Sequence, residues 1–266
     1  MSALTILAAE DADSGFQAPG LGLFEWPPLF HIGPVEVTKP MVQVFIASLV
    51  VVVFFWSAFA KPSLVPRGVQ SLGEMGYLFI RDQIARSIIG KQGDQWVPLL
   101  MSLFFFIWIM NLMSVIPGFQ FPVTSHIGYP AALAAMVWLI FMYLGIRHQG
   151  PIGYFKNMMF PPGLPLWIYP ILSPIELVSN VIIRPFTHAV RLFANMFAGH
   201  LLIALFSVAA WYFLVENLGP FFLVGILGFV LTIIMTAFEL LIQALQAFIF
   251  TLLAAVYIST SLEAAH

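Results

Sequence analysis

The stretch RPFTHAVRLFANMFAGH, residues 184–200, decides how this chain is read. It sits inside a longer run, Pro170 to Tyr212, whose composition otherwise predicts a membrane-embedded helix. Arginine keeps its proton in a protein, so the Arg191 guanidinium at membrane depth must find water, a carboxylate or a partner protein. Insertion scales set the cost of one such residue at roughly 2.5–3.5 kcal/mol at the bilayer centre. A chain that carries Arg191 there is using it. Glu176, Arg184, Thr187 and His188 lie within about four helical turns upstream, and Asn195 and His200 follow.

The rest of the composition agrees with a bilayer setting. Of 266 residues, 61% are hydrophobic and 8% charged, with a mean hydropathy of +0.98. A soluble domain carries about 25% charged residues, so this is an integral membrane protein. A net charge of −2 argues against nucleic acid as a partner. The absence of cysteine excludes disulfides, thiolate metal sites and redox-thiol chemistry. The six histidines show no HExxH or other ligand spacing, and neither metal nor cofactor is expected. No Lys or Arg precedes Lys39, so the basic region of a signal peptide is missing.

Met41 to Ala60 is free of charge and about long enough to cross a ~30 Å hydrocarbon core. From about Gly68 to Gly90 the pattern changes. Val69, Leu72, Met75, Phe79, Ile80, Ile84 and Ile88 recur at helical spacing, with Glu74, Arg81, Asp82 and Arg86 on the other face. That predicts an amphipathic helix lying along the membrane surface. A second span, about 96–117, closes on the Pro117-Gly118 turn signal, and a third covers about 130–147. The Gly/Pro-rich stretch from Gly150 to Pro165 reads as a loop.

Basic residues set the expected topology. If the three spans alternate, Lys61, Arg67, Arg81, Arg86, Lys91, Arg147 and Lys156 fall on one side. The opposite loops hold mostly acids, including Glu10, Asp11, Asp13, Glu25 and Glu36, with Lys39 the exception. The positive-inside rule then puts the N-terminus outside and the 61–95 loop and the C-terminus in the cytoplasm.

The last two apolar segments, about 171–215 and 218–262, are each near 45 residues. As helices they would extend roughly 65 Å, about twice the bilayer core. Pro185 is a possible break in the first, but the second has neither Pro nor a Gly pair after Gly228. The expectation is an all-α integral membrane protein with about five membrane-embedded helices and one interfacial amphipathic helix. Its last two helices are long, steeply tilted and joined as a hairpin at Glu216–Pro220. Residues 1–37 form an extracytoplasmic tail and 38–266 a single membrane domain.

Both long segments carry a polar stripe. At 100° per residue, Ser173, Glu176, Asn180, Arg184, Thr187, His188, Arg191 and Asn195 fall within roughly 120° of one face. Thr232, Thr236, Glu239, Gln243 and Gln246 fall within roughly 80° by the same count. Polar atoms in hydrocarbon are costly unless paired, so the stripes should face each other, a partner or water. Interhelical hydrogen bonding, at about 0.6 kcal/mol each, accounts for Ser173 and Thr232 and competes evenly with function for Thr236, Asn180 and Gln243. Arg184 is placed to snorkel to headgroups, or to pair with Glu176. Glu216 reads as a solvated turn residue. That ordinary reading is weakest for Arg191, Glu239, His200 and Gln246.

LVPRGVQSLGE (64–74), GKQGDQWVPLLMSLFFFIWIMNLMSVIPG (90–118), RPFTHAVRLFANMFAGH (184–200) and LQAFIFTLLAAVYIS (245–259) occur in this order and at these separations. Together they resemble subunit a of the bacterial F-type ATP synthases, the membrane stator beside the rotating c-ring. The resemblance covers nearly everything from Thr38 onward. It implies that Arg191 is the family's essential arginine, facing the proton-carrying carboxylates of the c-ring. It implies that Gln246 is the glutamine opposite and Asn195 the asparagine one turn along. The family places a carboxylate and an imidazole at the positions of Glu239 and His200, in either order, which suggests a proton-handling pair. It assigns no role to Glu176, His188 or Asn111.

The activity so implied is proton conduction through two offset half-channels, coupled to ATP synthesis, by a subunit that is not itself catalytic. His200, Glu239 and Gln243 would line the outer route, with Glu176 and Arg184 near the cytoplasmic one. On an ideal helix His200 lies about 180° from Arg191, consistent with a separate route. The expected partners are the c-ring, the peripheral-stalk subunit b and lipid, in a bacterial cell membrane. Competing classes fit less well. A haem-binding oxidoreductase subunit would need a second helix to match His188 and His200. An intramembrane hydrolase would need a GxSxG or HExxH motif. A stand-alone transporter or channel commonly shows internal repeats and broken helices.

Overall fold

A computed structural model describes residues 16–263, apart from 17, 25, 26, 34, 117, 161–166, 217 and 218. Glu10, Asp11, Asp13 and Glu25, which support the topology expectation, lie outside the described residues, as does Pro117. So does Leu218, within the expected hairpin turn.

A 3-10 turn, Leu21–Phe24, precedes a short antiparallel ribbon, β1 (Phe30–Ile32) and β2 (Val35–Val37), with Phe30 opposite Val37 and His31 opposite Glu36. Helix α1 is Lys39–Phe59 and α2 is Val69–Phe79, prolonged by a π turn at Ile80–Ala85. A 3-10 stretch, Gly90–Trp96, leads into α3, Val97–Leu112. Helix α4 is Gly128–Gln149 and α5 is Pro151–Met159. Helix α6, Tyr169–Val178, passes through a π turn at Ser179–Ile183 into α7, Arg184–Trp211. Helix α8 is Phe222–Glu263. Five helical segments are long and apolar enough to cross a membrane: Lys39–Phe59, Gly90–Leu112, Gly128–Gln149, Tyr169–Glu216 and Phe222–Leu262.

Proline explains several of the boundaries. Pro40, Pro98, Pro151 and Pro170 each stand in the first turn of their helix, where a missing N–H leaves no bond unmade. The part of the expected loop from 150 to 160 is therefore not plain loop, and 161–165 lie outside the described residues. Gly150 at φ +72 ends α4, and the preset φ of Pro151 starts α5. Pro185 does not break the long segment either. Its ring would crowd the carbonyl four residues back, and the π turn just upstream widens the helix there.

Two compact units emerge. One comprises Pro27–Phe197 and Leu240–His266 and holds the apolar core. Ala47 of α1, Ile80 and Ile84, Leu100 and Ile107 of α3, Leu192 and Met196 of α7, and Ala247 and Ala254 of α8 are all fully buried in it. In a bilayer such packing is driven by close van der Waals fit rather than by release of water. The surface helix expected at 68–90 divides its apolar residues: Ile80 and Ile84 join this core, while Val69, Leu72 and Met75 stay exposed. The π turn shifts the phase of the face between the two sets.

The other unit comprises Ala198–Glu239 with the described part of Met1–Trp26. Phe16 packs on Tyr212 and Phe213, with ring centroids 5.8 and 5.9 Å away. Gly225 and Gly228 let α7 and α8 approach closely. A Cβ at Gly228 would come within 3.1 Å of the Ala210 nitrogen, and one at Gly225 within 2.7 Å of the Leu214 side chain.

Candidate functional site

Helix α7 points His188, Ala189, Leu192 and Met196 inward, and each is buried. Arg191 is exposed on the same helix. It forms no hydrogen bond or ion pair with any described residue. A permanent cation on the surface of a helix of membrane-spanning length thus has no hydrogen-bonding or ion-pair partner among the described residues.

One turn further, the Asn195 amide donates to Gln246 Oε1 at 2.7 Å, joining α7 to α8. Gln246 and Gln243 are both buried, and Gln243 Nε2 donates to Ser114 Oγ at 2.8 Å. Thr124 Oγ1 donates to Asn111 Oδ1 at 2.7 Å. These bonds satisfy groups that would otherwise cost about 1–3 kcal/mol each when buried. Ser114, Asn111 and Thr124 carried no signal in the sequence beyond being polar residues at the end of an apolar span.

In the other unit, Glu239 is buried and its carboxyl lies against Gly199, the neighbour of His200. A Cβ at Gly199 would stand 3.7 Å from Glu239 Cγ. The His200 ring meets Phe24 edge-on at 6.1 Å. Thr232 and Thr236 donate to the carbonyls of Gly228 and Thr232 on their own helix at 2.9 and 2.8 Å, and Thr232 Oγ1 also accepts from Ser207 Oγ of α7 at 3.5 Å, the interhelical bond expected of it.

A polar cleft of about 190 Å³ is lined by Glu176, Asn180 and Arg184 together with Gln149, Tyr154 and Ser261. Asn180 Nδ2 donates to the carbonyl and the Oε2 of Glu176 at 2.8 and 3.2 Å. No ion pair joins Glu176 to Arg184 among the described residues. The Arg184 guanidinium lies instead over the Tyr257 ring, 5.6 Å from its centroid. Burial raises the Tyr154 hydroxyl above its usual range, opposed by a hydrogen bond with Ser261 and the Arg184 charge. Tyr154 is a neutral wall of the cleft at neutral pH. It was missed because 150–165 read as loop; Pro151 just after Gly150 was the available signal for a helix.

His188 is only 3% exposed, on the inner face of α7 between Arg184 and Arg191. Its ring stands edge-on to Phe250 at 3.8 Å and lies 5.7 Å from Tyr257. Neither ring nitrogen has a hydrogen-bond partner among the described residues. Among the described residues, no group of three or more His, Asp or Glu side chains could hold a metal ion.

The family model described as ATP synthase A chain matches residues 41–259. The ATP synthase subunit a of Streptomyces lividans is 48% identical over 255 residues, 95% of this chain and 90% of that protein. The subunit of the same name from Frankia alni is 45% identical over 252 residues, covering 93% and 86%. That of Rhodococcus erythropolis is 41% identical over 264 residues, covering 98% and 94%.

Proposed function

The chain belongs to the ATP synthase A chain family, and we propose that within the membrane stator of the bacterial ATP synthase Arg191 gates proton transfer to a rotating ring of carboxyl groups. Family membership carries ATP synthesis and proton transport with it and sets aside the haem-protein and stand-alone transporter readings. The observation that supports the gate is the exposed, unpaired Arg191 guanidinium on a helix of membrane-spanning length.

The physical argument runs through one carboxyl on the partner ring. Held in apolar surroundings, such a group has a pKa near roughly 8–9 and stays protonated. Beside Arg191, two unit charges about 4 Å apart attract by about 4 kcal/mol at an effective dielectric of about 20. That equals about three pKa units, enough to release the proton near neutral pH. Rotation past Arg191 reverses the shift. Each proton crossing about 100 mV contributes about 2.3 kcal/mol, which sets the direction.

Protons reach and leave the ring by two routes that do not meet. His200 and Glu239 serve the outer one, with Gln243 beside it. The cleft of Glu176, Asn180 and Arg184 serves the cytoplasmic one. Asn195 and Gln246 hold each other beside Arg191 and fix the helix faces there. The c-ring and subunit b are the proposed protein partners, with the N-terminus outside and the C-terminus in the cytoplasm.

Arg191→Ala should abolish ATP-driven proton pumping by the whole complex in inverted membrane vesicles, with the other subunits still co-purifying. Normal coupled pumping by that variant rejects the gate. Arg191→Lys should restore little, because a desolvated ammonium can lose its proton where a guanidinium cannot.

A further inference from the structure

We propose that His188 is a proton-relay side chain on the cytoplasmic side of Arg191, a role that rests on the half-channel reading above. A leucine would fill the space against Phe250 and Tyr257 and leave no polar atom behind. An imidazole there has one donor and one acceptor, both buried and neither met by a described residue. Each such group costs about 1–3 kcal/mol unless something else supplies the bond. Water entering from the adjacent cleft is the group of matching chemistry. Arg184 lines that cleft and lies over Tyr257, and Tyr257 in turn lies against His188, so the imidazole stands one residue layer behind the polar wall.

The titratable and charged groups around it are Arg184 and Arg191 on its own helix, Tyr257 on α8, and Glu176 of α6 on the cleft wall. Two fixed cations repel any proton that stays on the ring, so a proton passes through rather than lodging. In the step proposed, an N–H bond forms at one nitrogen as the proton arrives from the ring-carboxyl side. The N–H bond at the other nitrogen breaks, and that proton goes to water in the cleft. No electrons are exchanged, and the ring resets by turning over or by the reverse transfer.

The test uses ATP synthase complexes carrying His188→Leu, His188→Gln or Arg191→Ala in inverted vesicles. His188→Leu should lower ATP-driven pumping by roughly a hundredfold, the low end for a positioned acid–base group. It should also flatten the dependence of the rate on cytoplasmic-side pH, and added imidazole should restore part of the activity. His188→Gln, polar but unable to relay, should show the same loss. If the leucine variant fails to assemble, the glutamine variant decides by the same readouts. A rate and pH profile like those of the unaltered complex overturn the relay. An equal loss at every pH without imidazole rescue assigns His188 to packing and overturns it too. Normal pumping in Arg191→Ala removes the half-channel reading itself. An inactive Arg191→Ala beside an unaffected His188→Leu removes only the relay.

Discussion

In the unit of Pro27–Phe197 and Leu240–His266, polar side chains bond between elements: Asn195 to Gln246, Gln243 to Ser114, Thr124 to Asn111. Between Ala198 and Glu239, by contrast, Thr232 and Thr236 donate to their own helix, and Ser207 reaches Thr232 across the pair at a long 3.5 Å. That unit also has little core of its own, with Phe24, Ala210 and Glu239 buried and Leu223, Phe229, Ile233 and Phe238 exposed. The first region fixes geometry by internal bonds. The second is a pair of helices carrying Glu216, Glu239 and His200, with much of its apolar side-chain surface exposed. On the function proposed above, chemistry that responds to a moving neighbour suits the second kind of surface, and the scaffold that holds Arg191 suits the first.

The sharpest way to break this contrast is to exchange the acid and the imidazole. His200→Glu and Glu239→His should each cost about a hundredfold in pumping, while the double exchange stays within about tenfold of the unaltered complex. Equal loss in all three would mean the two residues share no route. Next comes the close helix approach in the second unit. Gly228→Val puts a Cβ against the backbone of Ala210 and should destabilise by about 1–3 kcal/mol in thermal unfolding of the complex. Gly199→Ala, at ordinary contact distance from Glu239, should change little in the same assay. In the core unit, Gln246→Ala leaves the Asn195 amide without its acceptor. A loss of about 1 kcal/mol is expected, at the low end because Asn195 is partly exposed. The smallest effect belongs to Thr232→Val, within about 0.6 kcal/mol, since it loses one local bond and one long 3.5 Å contact from Ser207. A large loss there would undo the distinction between the units.

Much of the architecture was legible because apolar runs of this length permit few other structures, and Arg191 stood out because its charge is so costly in such a run. The α5 helix was hidden by the Gly/Pro content of 150–165, although Gly150 and Pro151 act there as stop and start signals. The inward turn of Ile80 and Ile84 could not be read, since an amphipathic count assumes one uninterrupted helical phase. Nor could the bonds of Ser114, Asn111 and Thr124, which depend on tertiary approach rather than spacing. The same holds for His188, whose burial without a hydrogen bond to any described residue depends on how α7 and α8 pack.

The π turn at Ser179–Ile183 holds more chain per turn than the α-helix on either side. Glu176 and Asn180 therefore stand out of phase with Arg191 in a way that no straight-helix count registers. Such a turn works as an adjustable coupling in a drive shaft: trimming one residue from it would turn the cleft-lining end against the Arg191 end while every side chain in both stayed the same.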